Sequence, residues 1–135
     1  MSTRHYSSQS SSRFSFQSCL ERGVRTRRHG IAPMYGEALR TPSGLWARFG
    51  AHVHQARFQT LHFECSACVT LVVYCQALID LIEGAEVDAS ILPAVDKFVV
   101  CVRGVPPVMQ MRGAIALGAC RGLIQKIESN ALEVV

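Results

Sequence analysis

The stretch Val69–Gly84, VTLVVYCQALIDLIEG, limits what this chain can fold into more than any other. Its first six residues have the β-branched and aromatic make-up of a buried strand. Cys68, Val72, Cys75, Ile79 and Ile82 nevertheless recur at intervals of three and four, which stacks them on one face of a helix. Gly84 is a natural stop. The spacing predicts a helix over 69–83. If strands flank it, the chain is an α/β layer structure; if the same seam runs on through neighbouring helices, it is an all-α bundle.

The flanking patterns favour the first arrangement. FQTLHFEC alternates half-apolar and polar sides, as a strand does. FVVCVRGV reads as a second, buried strand, broken by Pro106-Pro107 because proline cannot donate to a sheet ladder. VMQMRGAIALG reads as a third short strand and turn. ACRGLIQKIESN closes as a helix with Leu123, Ile124 and Ile127 on one side. Upstream, Pro42-Ser43-Gly44 marks a turn, and Leu45, Phe49, Val53 and Ala56 predict a short amphipathic helix with Trp46 beside them. Ala114, Gly118 and Gly122 fall on one helix face, which predicts close backbone packing or a turn at Gly118.

Charge divides the chain. Residues 1–50 hold eight Arg, no Lys and two acids, whereas 51–135 hold six basic and eight acidic residues. We therefore expect two parts: a disordered or extended basic, Ser/Arg-rich arm over 1–41, and an α/β domain over 42–135. The arm's composition is that of an organellar presequence, and equally that of a cationic segment that settles on phosphates. Arg22, Arg25, Arg27, Arg28, Arg40 and Arg48 are the candidate contacts to RNA or a protein partner. No membrane span is expected, because the best apolar run, 67–82, falls short of about 20 residues and contains Gln76 and Asp80. Residues 1–20 lack the apolar core of a secretory signal, so the six irregularly spaced cysteines do not predict a disulfide scaffold.

Cys65-Ser-Ala-Cys68 is the one motif with chemical potential. As a zinc knuckle it lacks a second knuckle, so no metal site is expected. As a redox dithiol it sits where a strand meets a helix start, yet no basic residue lies near it in sequence, and Glu64 would raise the Cys65 thiol. Phosphate-binding, dinucleotide, zinc-protease and serine-hydrolase motifs are absent. We expect no catalytic residue, no cofactor and no small-molecule substrate. A divergent thiol oxidoreductase using Cys65 and Cys68, and a small zinc-stabilised or helical interaction module, are the alternatives.

FQTLHFEC, the turn at Ser66, FVVCVRGVPPVMQMRG and GLIQKIESNALEVV together resemble a known family over roughly 44–135. It is the thioredoxin-like domain shared by mitochondrial ribosomal proteins, the large-subunit member most closely, and by an accessory subunit of respiratory complex I. The Ser-Ser-Arg-Gly helix start and the Asn-Pro after the long helix are missing here. The resemblance implies a thioredoxin-like three-layer sandwich without redox chemistry. It implies a structural subunit on the matrix side of the mitochondrion, with rRNA and neighbouring ribosomal proteins as partners, or complex I subunits in the second case. On that topology Cys65 and Cys101 lie near two strand ends and become candidates for a disulfide, which needs Cα atoms within about 7 Å.

Overall fold

In the computed structural model, which describes residues 13–29 and 32–134, the chain runs through ten elements. They are β1 (Phe14–Ser15), α1 (Phe16–His29), β2 (Met34–Tyr35), β3 (Leu39–Arg40), β4 (Trp46–His54) and β5 (Arg57–Cys65), then α2 (Val69–Ile82), α3 (Val95–Phe98), β6 (Val102–Arg103) and α4 (Met111–Val134). Short 3-10 turns at 89–91 and 107–109 complete the path. The class is mixed α/β.

α2 explains the ambiguity of its own sequence. Every residue from Thr70 to Ile79 is buried, because α1, α4 and the sheet surround the helix. A helix covered on all sides has no polar face, so its composition comes to look like that of a buried strand. Leu71, Val73, Tyr74, Cys75, Ala77 and Leu78 are fully buried. Tyr74 donates its hydroxyl to the Val99 carbonyl at 2.6 Å, which satisfies its one polar atom.

β4 and β5 form a long antiparallel hairpin, with Ala47 opposite Cys65, Phe49 opposite Phe63 and Ala51 opposite Leu61. These six side chains are buried against the helices. Alternation sends Trp46, Arg48 and His52, with His62 and Glu64, to the other face. The amphipathic helix expected over this stretch is therefore a strand. The hairpin turns at Gln55 and Ala56, both left-handed at φ 54° and 61°. That two-residue geometry normally announces itself with Asn or Gly.

The free edge of β5 is guarded at two points. Arg27 Nη2 donates to the Cys65 carbonyl at 3.0 Å, and Glu83 Oε2 accepts from Leu61 N–H at 2.9 Å. Charged side chains on an edge discourage strand addition.

Two further expectations change. The strand expected over 98–105 is the end of α3, a turn, and two residues of β6 paired in parallel with β1. The third strand expected after Pro106-Pro107 is the start of α4. Its glycines do not break the helix because neighbours pack onto them. A Cβ on Gly113 would lie 2.8 Å from Val99 Cγ1, and one on Gly118 would lie 2.8 Å from Leu39 Cδ2. On the small-residue face Gly118 packs against the Leu39 side chain and Gly122 against the Glu37 carbonyl, so close packing holds there and no turn forms at Gly118.

The segment expected as an arm also joins the body where it is described. α1 packs along α2, with Cys19 buried and Gly23 so close that a Cβ would meet Val72 Cγ1 at 2.8 Å. β2 and β3 pair antiparallel with β4. Residues 1–12 and 30–31 of that segment lie outside the described residues, as does the side chain of Arg28. No helix among the described residues is long and apolar enough to cross a membrane.

Candidate nucleic-acid interface

β2 and β3 are one strand interrupted. Tyr35 lies opposite Gly50 and Leu39 opposite Ala47, so three residues (Gly36, Glu37 and Ala38) span two on β4. One extra residue in a strand lifts it away from its partner and re-aims the flanking side chains. Gly36 makes the arch feasible. A Cβ there would lie 2.6 Å from Leu123 Cα, so the arch presses on α4 with no room for a side chain.

Beneath the arch lies a cleft of about 500 Å³. Tyr35, Arg40, Trp46, Arg48, Glu64 and Lys126 line it, with Glu37 at the rim. The Arg48 guanidinium carbon sits 4.2 Å from the Tyr35 ring centre, and that of Arg40 sits 5.5 Å from Trp46. Both distances are within cation–π range. Arg48 also pairs with Glu64 at 2.6 Å, each side chain 38% exposed. Lys126 reaches over from α4 and donates to the Tyr35 carbonyl at 2.8 Å. The same face continues to His52 and His62, whose rings meet edge-on at 5.8 Å. Burial, then the neighbouring His52, lowers the His62 pKa, with Glu83 opposing.

Chemically this is a polar surface with flat π systems and fixed cations. Guanidiniums laid over aromatic rings offer planes on which bases stack, and their charge meets phosphates.

The six candidate arginines separate into groups. Arg40 and Arg48 come together in the cleft. Arg22 turns inward and pairs with Asp80, inside a chain of polar contacts between α1 and α2. There Thr26 donates to Gln76 Oε1 at 2.7 Å, and Gln76 donates to Asp80 Oδ1 at 2.9 Å. Arg27 is spent on the β5 edge, and Arg25 is exposed on α1. Tyr35, Trp46, Glu64 and Lys126 were not among the candidates. Strand alternation would have linked Trp46 to Arg48, had the stretch not matched helical spacing.

The cysteines are all free thiols. Cys65 and Cys101, candidates for a disulfide, have different neighbours. Cys65 accepts a hydrogen bond from Cys75, which with nearby Arg27 holds its thiol pKa below the usual value against the effect of burial. Cys101 is pushed up to about 11 by burial, with Cys19 nearby adding to the rise. No basic residue neighbours Cys65 in sequence, but α1 brings Arg27 to it in space. Glu64, on the opposite sheet face, is occupied by Arg48 instead. Cys68 is the N-cap of α2 and makes no side-chain capping bond. Cys65 is only 2% exposed, whereas Cys68 is half-buried. Burial raises Cys120 to about 12 and Cys75 well above its usual value. Among the described residues, no group of three or more His, Cys, Asp or Glu is placed to hold a metal ion.

A scan against models of known protein families finds none that matches the chain, and a search of curated proteins finds no match.

Proposed function

We propose that this chain is a non-catalytic, RNA-contacting structural subunit, and that the cleft face of its sheet takes single-stranded RNA. One observation carries this: two guanidiniums, Arg40 and Arg48, are held over two aromatic rings, Trp46 and Tyr35, in one cleft that Lys126 also reaches. Sheet faces bearing aromatics are a common platform for unpaired bases, which stack on rings and on guanidinium planes. A duplex hides its base faces and would meet only the charges. The burial of every cysteine except the half-buried Cys68 favours a binding role over thiol chemistry.

On the sequence resemblance alone, the RNA is ribosomal and the assembly is the mitochondrial large subunit. The resemblance had leaned on strands at 98–105 and after 107, and the short strand and helix found there give it no added support. Isolation of the native particle through a C-terminal tag tests that assignment separately. Recovery with rRNA and ribosomal proteins is expected; recovery with flavin and iron–sulfur subunits and no RNA would move the chain to complex I.

The RNA reading is tested by fluorescence anisotropy with a short single-stranded oligoribonucleotide and its duplex. Tighter binding of the single strand is expected, weakened about tenfold by Trp46→Ala, since a stacked base is worth roughly 1–3 kcal/mol. Equal binding of both forms, unaffected by that substitution, would contradict it.

A further inference from the structure

The opening turns of α4 present an apolar ridge that the RNA cleft does not use. At about 100° per residue, Met111 and Ala114 stand together, Arg112 and Ile115 fall on one flank, and Gln110 falls on the other. A groove of about 560 Å³ runs along the first flank, between the ridge and Leu39, Pro42 and Leu45, with Arg112 in its wall. A second groove of about 310 Å³ runs along the other flank, against Val95, Val99 and Pro107, with Asp96 in its wall. Met111 is 72% exposed, the adjoining Val108 77% and Val95 49%. Scattered apolar residues on a surface need no explanation, but a contiguous apolar strip does.

Two polar observations say what covers the strip. Arg112 Nε is buried and has no hydrogen-bond partner among the described residues. Arg112 also forms no ion pair among the described residues, so its guanidinium charge is left for a partner from outside. Asp96, across the ridge, is exposed and forms no ion pair among the described residues. The strip therefore carries one cation and one anion on opposite sides of an apolar ridge, with a groove beside each.

That arrangement is complementary to itself, and we propose that it is a twofold interface whose occupant is a second copy of this chain. In a twofold contact, if one residue meets a second, the second on this chain meets the first on the other. A twofold axis running along the ridge sets Met111 and Ala114 of one copy against the same residues of the other. It also brings each Arg112 to the other copy's Asp96, giving two identical ion pairs at the rim of an apolar centre. The RNA cleft stays open, because Leu39 and Arg40 are successive strand residues and point to opposite sides.

Light scattering on the full chain, from micromolar to millimolar concentration, tests this, with circular dichroism to confirm the fold of each variant. Twice the chain mass is expected for the native protein. Met111→Lys and Asp96→Lys are each expected to weaken association about tenfold or more. Joining Asp96→Lys with Arg112→Glu is expected to restore it, because the swapped charges meet again. Val108→Lys, at the most exposed large apolar residue of the strip, is expected to weaken association with the fold unchanged by circular dichroism. A native chain that stays at single mass throughout would overturn the proposal. So would a dimer indifferent to both single charge changes, or one that the double change fails to restore.

Discussion

Arg22 and Arg48 come from the same basic stretch of sequence, and each faces a carboxylate, yet they do opposite work. Arg22 reaches inward from α1 to Asp80 and helps lock α1 onto α2. Arg48 stands on the outer face of β4, shared between Glu64 and the Tyr35 ring, with the cleft open beside it. Charge density alone cannot separate these roles. What separates them is the element beneath: a helix that buries one flank turns some of its arginines into clamps, whereas a strand displays alternate residues outward. The contrast between the α1 clamp and the β-face cleft can be broken at either end.

The largest effect is expected where the cleft's architecture depends on bare backbone. Gly36→Val drives a side chain into Leu123 backbone atoms 2.6 to 2.7 Å away. Overpacking typically costs about 1–3 kcal/mol, and backbone offers little room to yield, so about 3 kcal/mol is expected. Thermal unfolding should show it, and the oligonucleotide should be lost with the arch.

Next comes the direct comparison. Arg22→Gln should lower stability by about 1 kcal/mol, a modest figure because the pair is partly solvated, and should leave RNA affinity nearly unchanged. Arg40→Gln should do the reverse, weakening RNA binding severalfold and flattening its salt dependence with little change in melting temperature. If both substitutions shift binding equally, α1 belongs to the interface after all.

These outcomes depend on elements the sequence revealed unevenly. α2 and β5 were legible because each repeats one period for long enough: the 3-4 spacing from Cys68 to Ile82, and the alternation from Phe58 to Cys65. β4 was hidden by coincidence. Leu45, Phe49, Val53 and Ala56 match a helix, and the turn at Gln55-Ala56 carries neither Gly nor Asn. The first turns of α4 were hidden because VMQMRGAIALG reads as a short strand with a turn at Gly118, until Leu39 packs against that glycine. The cleft was half visible, through Arg40 and Arg48. Its aromatic half depended on knowing that Trp46 lies on a strand.

The hairpin turn gives a smaller effect. Ala56→Gly should stabilise the fold by roughly 0.5–1 kcal/mol, because glycine adopts φ near 61° without a Cβ penalty. A destabilised variant in chemical denaturation would show that the turn's side chain matters in some other way.

The smallest effect belongs to His62. Its folded pKa lies below the ordinary histidine value because burial and His52 oppose the charge. The unfolded chain therefore takes up the proton first as pH falls below about 6.5, and stability declines from there toward the folded pKa. Above that window the two states bind equally and His62 contributes no slope. His62→Gln should flatten the decline between pH 7 and 5, measured by urea unfolding.

The central claim, that the β face stacks unpaired bases, has a built-in reporter, since Trp46 is the only tryptophan in the chain. Titration with a single-stranded oligoribonucleotide should quench its fluorescence to saturation. The quenching should weaken as salt rises and nearly vanish when Arg40 and Arg48 are both changed to Gln. Unchanged emission throughout the titration of a folded sample would contradict the account.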